Sequence, residues 1–545
     1  MAGKFIDAMR DGYALNEPAI LLGSPLDDTT ILPDVRIQVA LSVLNRHGLI
    51  AGATGTGKTK TLQAIAGQLS LAGVPTLVAD IKGDVSGMAA PGDASNPKLM
   101  QRVAELKLDF KTAGHPVEFL SLSGKQGAQI RASVHSFGPL LLGRVLGLND
   151  TQTSVLSLVF KYCDDNNLAL LDLKDLKTTL KFLGSDEAKA QLADYGGISD
   201  ASLGVMMRSI ITLEQQGAEA FFGEPEFDVD DLLEVRAGQG VVNVLELSDV
   251  MDKPALFSTF MLWMLAQLYH ALPEVGDLDK PKLCFFFDEA HLLFDGASQA
   301  LLSQIEQTVR LIRSKGVGVF FITQVPTDVP SSVLAQLGNR IQHALRVFTP
   351  EDSDNLKKTV RTFPMTTYFE VGERLTSLAI GEALVTVLSP NGVPTPLAPT
   401  HLVPPDSLMA ALPADEFQTR ITGGQLYAKY AQTVDPQSAH EIISARLAAA
   451  QAAVAGGAGE GPAARAAAAS IAAQQRALQA QVAREGREAA KEAQREAREQ
   501  AKAEAAAARA AERERLQREK MIGQVGTTVL RGVMGTLFGS PRRRR

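Results

Sequence analysis

One eight-residue stretch constrains this 545-residue chain more than any other: Gly52-Ala53-Thr54-Gly55-Thr56-Gly57-Lys58-Thr59. It fits the pattern G-x-x-x-x-G-K-[ST], in which glycines let a loop wrap a polyphosphate with backbone N–H groups pointing inward. A strand-like run, HGLIAGA from His47, precedes it, and a helical pattern follows to about residue 72. That helix adds its positive N-terminal end to the loop. Lys58 is placed to reach the β- and γ-phosphates, Thr59 offers a hydroxyl to Mg²⁺, and Lys60 closes the candidate nucleotide-binding run. The stretch predicts a bound nucleoside triphosphate, ATP with Mg²⁺.

A second run supplies acid. Leu283-Cys284-Phe285-Phe286-Phe287-Asp288-Glu289-Ala290-His291 is an apolar strand ending in two carboxylates. Asp288 is placed to hold the Mg²⁺ water shell, and Glu289 to orient or deprotonate an attacking water. His291 completes the letters DEAH, which spell a helicase motif and equally an ordinary helix start. The strand VGVFFITQ (317–324) ends in Gln324, a candidate γ-phosphate sensor, because ligands in such sheets lie at the carboxyl ends of strands. Asp80 ends the strand TLVAD at a similar edge, in a structural or supporting role. Arg313, Arg340 and Arg346 are candidates for a charge-stabilising finger, which often comes from a neighbouring subunit.

Strands are expected at TLVAD (76–80), VEFLSL (117–122), VVNVLEL (241–247), KLCFFFDE and VGVFFITQ. They alternate with helical patterns, and several are continuous apolar runs, which predicts an α/β fold with a mainly parallel sheet covered on both faces. The boundaries read as an N-terminal strand segment (1–50), a first part of the phosphate-loop domain (51–138) and a helical insertion (139–235). A second part follows (236–410), with a β-hairpin over 378–404 turned by Asn391-Gly392. Then come a linker (411–463), an Ala/Glu/Arg-rich helix (464–520) and an amphipathic segment with a poly-Arg tail (521–545). Alanine makes up 31 of the 80 residues from 441 to 520, so that part builds little core despite its helical propensity. It reads as a solvated single helix or a weak coiled coil.

The formal net charge is −7, which argues against a uniformly basic nucleic-acid binder. The charge is uneven, however: residues 481–545 carry +7, leaving −14 on residues 1–480. Cys163 and Cys284 form neither a disulfide framework nor a zinc site. The N-terminus lacks the apolar core of a signal peptide, and no apolar run reaches the roughly 18 residues of a spanning helix. The expectation is a soluble cytoplasmic protein.

GATGTGKT, FFFDEAH and RSKGVGVFFITQ, in this order and spacing, resemble the HerA–FtsK group of P-loop ATPases, over residues ~20–400. The pieces ADIKGD (79–84), LGLNDTQTSVL (146–156) and QLGNRIQHALRVFTP (336–350) point more specifically to HerA-like ATPases. The resemblance implies a RecA-like domain in a hexameric ring that pumps or unwinds DNA. It gives Lys58, Thr59, Asp288, Glu289 and Gln324 the nucleotide, metal, base and sensor roles, and Arg313 a role across the subunit interface. The sensor reads Gln324-Val325-Pro326, where the group commonly has Gln-Arg-Pro. Lys125 and Arg131, and Lys357, Lys358 and Arg361, are candidate DNA contacts or solvated surface. The alternative reading is an ATP-switched scaffold that recruits protein partners through its C-terminal helix. For the apolar face of residues 521–538, a protein partner ranks above a membrane.

Overall fold

Strands buried along their whole length need cover on both faces, and the two most apolar runs, Leu283–Phe287 and Val317–Thr323, are buried at every residue. The structure, a computed structural model, describes residues 2–185, 188, 198–276, 278–294 and 299–456. The chain divides into two compact units, Met1–Arg446 and Leu447–Arg545, and the sheet and site described below lie in the first. Eleven strands of a 13-stranded sheet are labelled here in chain order. They are β1 (Ala19–Asp27), β2 (Ile37–Ala40), β3 (Gly48–Ala51), β4 (Thr76–Asp80), β5 (Val117–Ser121) and β6 (Val242–Glu246). β7 (Leu283–Phe287), β8 (Val317–Thr323), β9 (Asn339–His343), β10 (Glu382–Thr386) and β11 (Ala398–Leu402) complete the set.

The order across the sheet is β1-β11-β10-β9-β3-β8-β7-β4-β6-β5, and the run from β9 to β5 is parallel. This is the RecA-like P-loop arrangement, extended at one side by antiparallel strands. Alternation along β7 sorts its phenylalanines by face. Phe285 and Phe287 stack on one another at 4.0 Å, whereas Phe286 stacks on Phe320 of β8 at 5.0 Å. The hairpin is β10–β11, with Gly392 in the left-handed region (φ 77°) at its tip.

Helices at Val134–Val145, Asp150–Asp165, Leu173–Leu183 and Asp200–Gln215 occupy the stretch with the helical period. Two of them start with capping boxes, Asn149 with Gln152 and Asp172 with Asp175, which satisfy exposed N–H groups reciprocally. The 411–463 stretch, expected to be a linker, carries helices at Ala414–Thr422, Gln425–Tyr430 and Ala439–Gly456. Phe417 meets Phe119 edge-on at 4.8 Å, and Tyr430 is buried against Phe227, so two aromatics anchor the first two of these helices. The helix read over 464–520 and the segment 521–545 lie outside the described residues. Among the described residues no helix is long and apolar enough to cross a membrane.

His47 fixes the entry edge of the sheet, where β3 and β8 begin. Its Nδ1 accepts from Val319 N–H at 3.0 Å, so Nε2 carries the proton and donates to the Val309 carbonyl at 2.7 Å. Burial pushes its pKa from 6.5 down to about 4, and the nearby Arg313 charge adds to the drop. The folded state therefore resists a proton that the unfolded chain accepts below 6.5. This stability is complete above that pH and is lost as pH falls toward about 4. We expect His47→Asn to remove about 2 kcal/mol of the stability difference between about pH 7 and pH 5. Denaturant unfolding of both proteins at the two pH values checks it.

Candidate active site

Parallel strands all leave the sheet at the same edge, and that edge gathers the predicted residues. The phosphate loop leaves β3 after Ala51 and enters the helix Lys58–Leu71 with Gly57 as its N-cap. Gly52, Gly55 and Gly57 have φ of 154°, 77° and 112°, values that favour glycine. A Cβ on Gly52 would come within 2.4 Å of the His343 Cβ, so the loop also needs glycine for close approach to β9. Gly52 N–H donates to the carbonyls of Thr323 and Gln324 at 3.2 and 3.1 Å, and Ala53 N–H to Ala344 at 2.9 Å. The loop is thereby tied to the exits of β8 and β9.

Lys58 turns back on its own loop, donating to Gly52 O at 2.6 Å and Ala53 O at 3.3 Å. Burial lowers its pKa, against the opposing pull of Glu289 and Asp288. Thr59 is half-buried in the first turn, and Thr54 and Gly55 face solvent. Asp288 is buried; Oδ1 accepts from Glu289 N–H at 2.9 Å, and Oδ2 has no hydrogen-bond partner. Burial pushes its carboxyl up to about 7, with the Lys82 charge opposing. An orphaned carboxylate oxygen on Asp288, with carboxylate oxygens of Asp80 and Asp84 within 4.8 Å, fits a hydrated Mg²⁺ that arrives with nucleotide. Glu289 is held in the left-handed region (φ 47°), a strained conformation for a residue with a side chain.

Lys82 is the partner that sequence reasoning missed. It forms an ion pair with Glu289 Oε1, while His291 Nδ1 lies 3.3 Å from Glu289 Oε2. Burial lowers the Lys82 pKa, but the hydrogen bond to Glu289 and the charges of Asp288, Glu289 and Asp84 lift it above the ordinary value. Asp80 shapes this loop: Oδ1 accepts from Lys82 N–H (3.1 Å) and Gly83 N–H (2.9 Å), and Oδ2 from Val85 N–H (2.8 Å). Lys82 stood inside the quoted ADIKGD, but nothing local in sequence links it to a glutamate 207 residues away. His343 was also missed. Its Nε2 lies 3.0 Å from Thr61 Oγ1, and burial first, then the Lys58 charge, holds its pKa down at about 3. A neutral imidazole therefore braces the loop from behind.

Gln324 sits one residue past β8 with an exposed side chain, at the same edge as the loop. Arg313 does not join the site in its own chain. It occupies the turn Arg313–Lys315 before β8, at the opposite edge, near His47. Arg340 is bound to the carbonyls of Leu337, Leu334 and Thr362, and Arg346 to that of Thr376. Arg131, a candidate DNA contact, is 2% exposed and donates to Tyr430 O, Gln129 Oε1 and Thr433 Oγ1, which corrects that reading. Lys125, Lys357, Lys358 and Arg361 are exposed. A cavity of about 550 Å³ opens beside the loop, lined by Gly57, Lys60, Thr61, Arg102, Ile380 and Gly381 among others.

The electrostatics predict opposite responses to two substitutions. Asp288→Asn removes a poorly solvated charge and should stabilise the nucleotide-free protein by about 1–3 kcal/mol. Lys82→Met leaves two carboxylates without their cation and should destabilise it, by about 1 kcal/mol or less because solvent screens the half-exposed lysine. Thermal melts without nucleotide or divalent metal check both signs.

Residues 28–544 match the family described as "Helicase HerA-like C-terminal". Over 340 residues the chain is 22% identical to the DNA double-strand break repair helicase HerA of Sulfolobus acidocaldarius, covering 60% of this chain and 61% of that protein. The chain thus spans less than two thirds of that relative's length. Among solved structures, the bacterial conjugative coupling protein TrwBdeltaN70 is 13% identical with a TM-score of 0.49, covering 75% of this chain and 93% of that one. VirB4 of Thermoanaerobacter pseudethanolicus is 14% identical with a TM-score of 0.44, over 72% of this chain and 98% of its own. With a family match running through almost the whole sequence, and a phosphate loop and acidic strand end at one edge of a RecA-like sheet, the chain belongs to the HerA-like P-loop ATPases.

Proposed function

We propose that the protein is an ATP-hydrolysing motor that works as a homo-oligomeric ring, hexameric by family resemblance, and translocates on or unwinds DNA in the cytoplasm. The observation that carries this reading is the meeting of the phosphate loop, Asp288, Glu289 and Gln324 at one sheet edge. Loop N–H groups beyond Ala53, up to Lys60, cradle the phosphates, and the cavity at Gly57, Lys60 and Gly381 has room for base and sugar. Lys58 exchanges its two loop carbonyls for phosphate oxygens. Thr59 and Asp288 hold the metal, which when bound offsets charge on the phosphates. Glu289, released from Lys82, orients the attacking water and accepts its proton. Gln324 reads the γ-phosphate, and its backbone bond to Gly52 links that reading to the loop. Arg313 acts from the neighbouring copy. The exposed Lys125, Lys357, Lys358 and Arg361 offer phosphate contacts for DNA.

Glu289→Gln should lower ATP turnover by about 10²–10⁴-fold while Mg·ATP still binds, and Lys58→Ala should lose binding as well. Mixing Arg313→Ala with Lys58→Ala protein should restore part of the activity, because some interfaces then pair an intact loop with an intact arginine. Turnover of the wild-type ring should rise with single- or double-stranded DNA at low salt and lose that stimulation as salt increases. Turnover indifferent to both, with the ring assembled, would overturn the motor and leave the ATP-switched scaffold.

A further inference from the structure

Beside the nucleotide site the same edge holds more buried carboxylate than its cations satisfy. Glu246 ends β6 directly opposite Asp80 of β4, and Asp288 follows Phe287, whose partner on β4 is Ala79. Asp80, Asp84 and Asp288 each bring one carboxylate oxygen within 4.8 Å of the others. Glu246 is 2% exposed, and its Oε2 lies 3.7 Å from where a Cβ on Gly83 would stand, inside the turn between Asp80 and Asp84. Its Oε1 is buried with no hydrogen-bond partner, and so are Asp84 Oδ1, Asp288 Oδ2 and Asp249 Oδ1. A buried carboxylate oxygen left without a donor destabilises the fold that holds it.

The nearby lysines do not cover these oxygens. Lys82 is turned to Glu289, and Lys60 to the Met409 carbonyl. Asp80 already accepts three backbone N–H groups, so it braces the turn that carries Asp84 toward Asp288, with Glu246 Oε2 against Gly83 of the same turn. An all-oxygen anionic pocket of this kind suits a hard divalent cation and excludes a soft one. We propose that Asp84 and Glu246, with Asp288 shared and Asp80 as brace, bind one Mg²⁺- or Mn²⁺-type cation independently of nucleotide, next to the metal that accompanies ATP. Such an ion orders the 80–84 turn, and with it the Lys82 that holds Glu289.

The test is Mn²⁺ titration of the full chain without nucleotide, read as loss of the free-ion signal by electron paramagnetic resonance. One Mn²⁺ per chain is expected in the wild type and in Lys58→Ala. Glu246→Gln and Asp84→Asn should each weaken it at least about tenfold, and melting curves establish that both variants are folded. Absence of Mn²⁺ binding without nucleotide would overturn the proposal, as would binding that both variants retain; the pocket would then be holding shared protons. Because Lys58→Ala spares this pocket and Glu246→Gln spares the phosphate loop, failure here is distinguishable from failure of the ATPase reading.

Discussion

Parallel pairing fixes where charge collects in this protein. Strands β3, β8, β7, β4 and β6 run the same way, so each chain leaves the sheet at one edge and deposits its next residue there. The residues deposited are the phosphate loop, Gln324, Asp288, Asp80 and Glu246. Lys58 and Lys82 face Asp80, Asp84, Asp288 and Glu289 across this edge, with Glu246 buried beside them. Burial pushes the Glu246 carboxyl up to about 9, and Asp80, Asp249 and Asp84 push in the same direction. An edge of this composition is poor ground for a bare polyphosphate and good ground for one that brings divalent metal. In the proposed ATPase the loop supplies N–H groups to the phosphates, and the strand ends supply oxygen to the metal. The acidic balance of residues 1–480 is in keeping with that division.

What the sequence showed and what it hid divide along a physical line. Features made by neighbouring residues were legible: the loop from Gly52 to Thr59, the apolar strand ending in Asp288-Glu289, and the two strands of the 378–404 hairpin. Features made by the sheet order were hidden. Lys82 meets Glu289, and Glu246 lies opposite Asp80, because β7, β4 and β6 are adjacent, and no local pattern encodes that adjacency. Arg131 misled for a related reason. Its surroundings, SGKQGAQIRAS, read as an exposed basic loop, but Tyr430 and Thr433 come from a stretch that composition alone assigns to a linker. Two aromatics, Phe417 against Phe119 and Tyr430 against Phe227, anchor the helices Ala414–Thr422 and Gln425–Tyr430, and a count of alanines and polar residues does not weigh them.

Arg313 stands where β8 begins, beside His47, whereas the phosphate loop and Gln324 stand where β3 and β8 end. Seven strand residues at about 3.3 Å each separate the two edges by roughly 20 Å. An arginine side chain cannot cross that distance around its own sheet, so an Arg313 that touches phosphate belongs to another copy. A contact between the entry edge of one copy and the exit edge of the next is heterologous, using two different surfaces. Repeated by a rotation that closes, such contacts form a ring, and otherwise an open filament. In the proposed ring, hydrolysis and assembly are coupled by geometry: a lone chain holds the loop and the proposed base without the proposed arginine, and each interface completes one site.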